Sequence, residues 1–213
     1  IDEYVYVSAL PGKAGKEPII PYIGDRERKA ETFKGGVLAV AAHLRAFGAS
    51  VRVITDTALH PALIKRRYVD GAHTRKLFEV YDDRGHPLPD GGVADAALGL
   101  SGAIDEYPEA TAIVCDFGHG MIGAELVSVL CRAKNFLAVT AQTNAGNWGF
   151  NRVTKYSRAD YLCIDEVEAR LAFGHQSASV EAMALALKEM MHCRAVTITQ
   201  GIRGLFIAWS SGR

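Results

Sequence analysis

Short, nearly continuous apolar runs alternate with helix-period segments over most of this chain, and that rhythm restricts its fold more than any other feature. Residues 51–55, 112–115, 136–141, 161–164 and 195–199 are compact strand candidates. Their apolar character hardly alternates, as expected of strands covered on both faces. Helical patterns lie between them. Val37, Val40, Ala41, Leu44 and Phe47 follow an i, i+3, i+4, i+7, i+10 spacing, and Gly48 closes the run. Val180, Met183, Ala184, Leu187 and Met191 repeat the pattern behind Ser177 or Ser179, either of which can cap. Strand–helix alternation implies βαβ units, so the sequence predicts an α/β fold with a doubly wound parallel sheet.

Two stretches leave this rhythm. Residues 18–23 and 74–81 read as extended segments without crossover helices, and they are predicted to pair as a small antiparallel β flap on the main sheet. Pro18 and Pro21 make the first an edge strand. Residues 82–87 and 89–92 are turn material. Residues 56–64 are too few for the helix and strand that a doubly wound sheet would place after 51–55. Asp2 follows Ile1 with no preceding strand, and residues 205–209 read as a strand running into a Ser-Ser-Gly-Arg turn. The expectation is one incomplete domain over residues 1–213, with flap segments at about 17–23 and 65–81.

A chain of 213 residues has the length of one large domain. Lysine plus arginine, 24, equals aspartate plus glutamate, 24, so bulk charge makes no case for nucleic acid or an acidic membrane as partner. Lys65-Arg66-Arg67 is a local basic cluster, of a kind that often sits in a solvated loop. Cys115, Cys131, Cys163 and Cys193 are widely spaced and form no C-x-x-C pair. They suggest neither a zinc site nor a disulfide framework, which fits a reducing cytoplasm. No apolar run has the length of a membrane span.

Phosphoryl transfer needs positioning and charge neutralisation more than covalent chemistry. Glycines before helices and carboxylates at strand C-termini are its marks, and four places carry them. Lys34-Gly35-Gly36 enters the helix at Val37, where paired glycines let a ligand approach free amides; a tight loop is the other explanation. Asp116 ends the 112–115 run and precedes Phe117-Gly118-His119-Gly120, on the ligand edge of a parallel sheet or as a helix cap. Asp165-Glu166-Val167-Glu168 opens a helix; its acids either complement the helix dipole or orient magnesium-bound water. Thr199-Gln200-Gly201-Ile202-Arg203-Gly204 is a glycine-rich hairpin that can border a nucleotide.

The order of these motifs resembles the bacterial heptose-7-phosphate kinases of the ribokinase (PfkB) superfamily. Asp2-Glu3-Tyr4, Glu17-Pro18-Ile19-Ile20-Pro21 and Gly35-Gly36 before a helix resemble that family's opening, flap and sugar-site segments. Lys65-Arg66-Arg67 is similar to its Thr-x-Lys-x-Arg strand, and Cys115 to Gly120 to its Ser-Asp-Tyr-x-Lys-Gly. Asp165 to Glu168 is similar to Asn-x-x-Glu, and Thr199-Gln200-Gly201 to Thr-x-Gly. The resemblance implies a carbohydrate kinase that uses ATP and Mg2+. Asp2, Gly35 and Gly36 would hold sugar hydroxyls, Lys65 or Arg67 a sugar phosphate, and Asp116 would lie nearby. Asp165 and Glu168 would serve the nucleotide and its metal, with Thr199, Gly201 and Gly204 bordering the adenine nucleotide. The flap would close over the sugar or join a homodimer, and a nucleotidyltransferase domain would be fused beyond Arg213.

Departures from the family pattern are specific. Its asparagine after the glycine pair falls at Ala39, its lysine at His119, its Asp-Pro-Lys at Gln142-Thr143-Asn144, and its first asparagine of Asn-x-x-Glu at Asp165. The Gly-Ala-Gly-Asp that supplies the family's base would follow Gly204, and no residue here takes that role. The alternatives are a catalytically inactive kinase-like domain that binds ligand or scaffolds a larger protein, and an unrelated doubly wound nucleotide enzyme.

Overall fold

A computed structural model of the chain describes residues 1–12, 19–23, 30–55, 64–82, 90–144, 146–174 and 177–210. The expectations for Glu17, Pro18 and residues 56–63, 83–89 and 211–213 lie outside these described residues. The chain forms two compact units, residues 1–86 and 87–213.

The first unit is built on a mixed sheet. Strand β1 (Asp2–Pro11) pairs antiparallel with β2 (Ile19–Tyr22) near one end and with β3 (Glu31–Phe33) near the other. Helix α1 (Val37–Ala46) follows, then β4 (Ile64–Asp70) and β5 (Arg75–Asp82). β4 runs parallel to β1 and antiparallel to β5. Among the described residues of this unit, Val7, Ala41 and Val69 are the buried apolar ones. β1 has no counterpart among the strand expectations, since its Tyr-Val-Tyr-Val stretch acquires a partner only when β4 arrives from far along the chain.

Three expectations are corrected in this unit. Residues 51–55 form no strand; they pair with neither sheet, and the Val51 carbonyl accepts from Arg45 Nη2 at 2.8 Å rather than from a neighbouring strand. The segments at 19–22 and 75–82 do not pair with each other and do not join the parallel sheet, because β1 and β4 stand between them. Lys65-Arg66-Arg67 lies within β4, as the family resemblance implied, and not in the solvated loop that composition alone suggested.

The second unit carries the parallel sheet. It comprises α2 (Asp90–Glu106), β6 (Ala112–Asp116), α3 (Ala124–Arg132), β7 (Leu137–Ala141) and β8 (Tyr161–Asp165), then α4 (Glu166–Phe173), α5 (Val180–Met190), β9 (Ala195–Thr199) and β10 (Leu205–Trp209). Strands β6 to β9 lie side by side in chain order and parallel, and β10 adds an antiparallel edge. Leu137, Leu162, Met183, Leu187, Val196 and Ile198 are at most 3% exposed and centre the core, which explains why these strands read as continuous apolar runs. Ser179 caps α5, accepting from the Ala182 amide at 3.1 Å. The turn expected at 89–92 is corrected from Asp90 onward, where α2 begins; aspartate and glycine are tolerated at a helix start, and the Ala/Leu-rich run behind them supplies the helix propensity. No described helix is long and apolar enough to cross a membrane.

Candidate functional site

In the first unit the ladder register sets out a polar, aromatic patch on one sheet face. Phe33, Asp2, Lys65 and Tyr81 form one row across β3, β1, β4 and β5, and Glu31, Tyr4, Arg67 and Glu79 form the next. Arg67 Nη1 donates to Asp2 Oδ1 at 2.5 Å, and its guanidinium lies 5.1 Å from the Tyr4 ring centroid. Burial works against the Arg67 charge, but the hydrogen bond and charge of Asp2 outweigh it and hold the group more firmly protonated. Lys65 Nζ lies 3.6 Å from Glu79 Oε1 and 4.9 Å above the Tyr81 ring. Glu79 also takes bonds from Lys76 at 3.1 Å and Tyr81 at 3.2 Å. Burial pushes the Glu79 carboxyl up, yet Lys76 and Lys65 together leave it below the ordinary range.

The glycine pair meets this patch. A Cβ on Gly35 would lie 2.1 Å from Asp2 Oδ2, so any larger residue here would push the Asp2 carboxylate aside. Gly36 has φ 57° and ψ −136° and forms the N-cap of α1 with no side-chain cap bond. Its carbonyl accepts from the Ala39 and Val40 amides. Asp2, Gly35, Gly36, Lys65 and Arg67 thus belong to one cluster. The backbone amides of the first α1 turn and a carboxylate–guanidinium pair are together the chemistry that reads hydroxyls.

In the second unit the carboxyl edge of the sheet holds two clusters. The first surrounds Asp116, 3% exposed at the end of β6. Its Oδ1 accepts from the Gly118 amide at 3.1 Å and Asn151 Nδ2 at 3.0 Å; its Oδ2 accepts from Tyr156 Oη at 2.7 Å and pairs with Lys155 Nζ at 2.5 Å. Lys155 also donates to the Ile122 carbonyl and Asn151 Oδ1. Burial, then Asp116, pushes the Tyr156 hydroxyl far above its usual range, so it stays a donor. Asp116 lies at the edge expected of it, but all its acceptor directions are taken by the protein, and the geometry makes it a structural hub. Gly118 has φ 69° and runs against Asn147 and Asn151. Asn144 and Asn147 clamp the Phe117 and Gly118 carbonyls.

The second cluster lies at the ends of β8 and β9, where Asp165 and Thr199 are ladder partners. Asp165 and Glu168 form a reciprocal capping box on α4: Asp165 Oδ1 accepts from the Glu168 amide at 2.7 Å, and Glu168 Oε2 from the Asp165 amide at 2.8 Å. Glu168 Oε1 accepts from the Thr143 amide at 3.0 Å, tying α4 to the β7 loop. Burial raises the Glu168 carboxyl above its usual range, against the pull of the Asp165 amide. Gly201 and Gly204, at φ 60° and 87°, shape the tight turn between β9 and β10. Among the described residues no group of three or more His, Cys, Asp or Glu side chains could hold a metal ion.

Sequence reasoning passed over Glu166, which joins this turn to α4. It takes bonds from Arg170 at 2.6 Å, from Gln200 at 3.3 Å and from Arg203. Arg170 first, then Gln200 and Arg203, hold its carboxyl below the usual range against a small cost of burial. Its folded pKa is therefore lower than its unfolded one, and its contribution to stability is complete above roughly pH 5 and fades as pH falls through the folded value. The stability difference between wild type and Glu166→Gln, from denaturation at a series of pH values, is expected to be constant near neutrality and to shrink in acid. A difference that grows in acid contradicts this. Asn151, Lys155, Tyr156 and Glu79 were also passed over; they are ordinary polar residues until the fold brings them to Asp116 or Lys65.

These elements define a ribokinase-like α/β fold. The chain is similar to the tetrameric inhibited form of phosphofructokinase-2 from Escherichia coli, with TM-score 0.64 and 10% identity over 99% of this chain and 74% of that one. It is similar to the same enzyme in complex with fructose-6-phosphate (TM-score 0.59, 11% identity, 99% and 74%). Ribokinase from Giardia lamblia matches at TM-score 0.54 and 14% identity, over 99% of this chain and 69% of that one. No family model matches the sequence, and no curated protein matches it.

Proposed function

We propose that the chain is the larger part of an ATP-dependent carbohydrate kinase, transferring the γ-phosphate to a hydroxyl of a sugar or sugar phosphate. The observation that carries this reading is the meeting of Asp2, Gly35 and Arg67 at the head of α1, within a fold shared with phosphofructokinase-2 and ribokinase. In the reaction the sugar oxygen forms a bond to the γ-phosphorus, the bond to the β-phosphate oxygen breaks, and ADP leaves. No residue named here is assigned the hydroxyl proton.

The two units act as one ribokinase-like domain in this reading. The strands around 17–23 and 65–81 serve as the flap over the sugar or as a homodimer surface. A cytoplasmic setting and a fused nucleotidyltransferase domain belong to the same proposal, as does a heptose-phosphate-like acceptor. Asp165, Thr199, Gly201 and Gly204 border the nucleotide. Both oxygens of Glu168 already accept backbone amides, so the donor set fits Mg2+ through water rather than by direct ligation. The ion, when bound, neutralises phosphate charge.

Glu168→Gln is expected to weaken binding of magnesium-ATP while leaving sugar binding nearly unchanged, because an amide can accept only one of the two backbone N–H groups. Thermal-shift titrations with nucleotide and with a sugar panel check this, and equal loss of both contradicts the placement of Glu168. Stabilisation of the wild-type protein by no sugar and no nucleotide would sink the kinase reading. The second reading, a ligand-binding or scaffolding domain without catalysis, is favoured by Ala39 in the asparagine position and by the complete internal pairing of Asp116.

A further inference from the structure

We infer that the sugar-binding patch of the first unit takes an uncharged sugar rather than a sugar phosphate. The inference rests on the kinase reading above and narrows its substrate class to the free sugar, setting aside the heptose-phosphate-like acceptor. Lys65 and Arg67 are the cations that the family resemblance offers a phosphate, and together with Lys76 they share two carboxylates, Asp2 and Glu79. Arg67 is paired with Asp2 at 2.5 Å and lies 3.7 Å from Glu79; Lys65 lies 3.6 Å from Glu79. A phosphate monoester brings roughly 1.5 to 2 negative charges. It would therefore enter a patch where Asp2 and Glu79 already pair with all three cations, and it would have to displace them.

An uncharged polyol asks for the groups this patch presents. Carboxylate oxygens accept from vicinal hydroxyls, and a guanidinium fixed by Asp2 donates in a set direction. The Phe33 ring, half exposed and edge to face with Tyr4 at 5.7 Å, offers an apolar face to sugar C–H groups, while Arg67 and Lys65 lie over the Tyr4 and Tyr81 rings. A second basic group, His73 and Arg75 beside Asp70, lines a hollow at the other end of the same sheet; Lys76 borders it too, but its ammonium reaches Glu79 at 3.1 Å. From Lys65 to Asp70 the strand rises roughly 16 Å, beyond the reach of a phosphate on a sugar seated at Asp2. His73 is itself bonded to Asp70 at 2.6 Å.

The test is calorimetric titration of the purified protein with ribose, fructose and a heptose, with their terminal phosphate monoesters, and with inorganic phosphate. At least one free sugar is expected to bind, its monoester about tenfold or more weaker, with no competition from inorganic phosphate. Glu79→Gln, which releases Lys65 and Arg67 from a shared carboxylate, is expected to raise affinity for the monoester about tenfold and to make it salt-dependent. A monoester that binds wild type as tightly as its parent sugar overturns the inference and leaves the kinase reading standing. An unchanged sugar-to-ester ratio in Glu79→Gln removes its electrostatic cause and overturns it as well. Binding of neither class overturns both the inference and the reading beneath it.

Discussion

Asp116→Ala is expected to destabilise the second unit by about 3–5 kcal/mol, the cost of removing one partner from a buried charged network. Four donors converge on this carboxylate, and Tyr156, 1% exposed, would be left with its hydroxyl unpaired in the core. Asn151 bridges the Asp116 and Gln142 carbonyls as well as the carboxylate, so the loop between β7 and β8 would loosen with it. Lys155, whose side chain is 29% exposed, can turn to solvent and recover part of the loss. Asp116→Asn should not rescue fully, because its amide nitrogen would face either the Lys155 ammonium or the Asn151 amide. Chemical denaturation measures the effect as a lowered midpoint. A substrate carboxylate open to ligand would behave oppositely, with stability unchanged and sugar binding lost.

Gly35→Ala is expected to weaken sugar binding about 10- to 100-fold, the scale of losing one hydrogen bond to a charged group. The added methyl would overlap Asp2 Oδ2 and stand 2.8 Å from its Cγ, so the carboxylate must swing away and release Arg67. Gly48→Ala is the control. Gly48 has φ 84° but nothing within 4 Å of the added carbon. Its cost should be backbone strain alone, about 1–2 kcal/mol, with sugar binding intact.

The parts of the fold that were legible in the sequence are those whose physics is local. β6 to β9 bury one face fully and the other in part and read as apolar runs, and α1 and α5 show the helical period because one stripe of each packs inward. β1 was hidden because its residues alternate between a polar face and a thin core, and its parallel partner β4 lies some sixty residues on, at Asp2 opposite Lys65. Residues 51–55 have strand composition, yet they join neither sheet, and the Arg45 side chain takes the Val51 carbonyl.

The candidate site divides along the same line. Gly35-Gly36, Asp2 and Arg67 were marked by type and order, and the contact between Asp2 and Gly35 gives the glycine its physical reason. Asp165-Glu166-Val167-Glu168 was legible only as an acidic turn. The helix then separates its members: Asp165 caps, Glu168 faces inward to Thr143, and Glu166 reaches the turn at 200–203. Asp116 looked like an open ligand residue because Tyr156, which fills one side of it, comes forty residues later. A lone aspartate after a strand carries no sign of the partners that will enclose it.

The central claim is that the patch at Asp2, Gly35 and Arg67 receives a sugar. Calorimetric titration of the sugar panel into wild type and Gly35→Ala, with magnesium-ATP titrated into both as an internal reference, tests it most directly. The account predicts sugar binding to wild type, its loss in the variant, and equal nucleotide affinity in the two proteins. Sugar bound equally well by Gly35→Ala would contradict it.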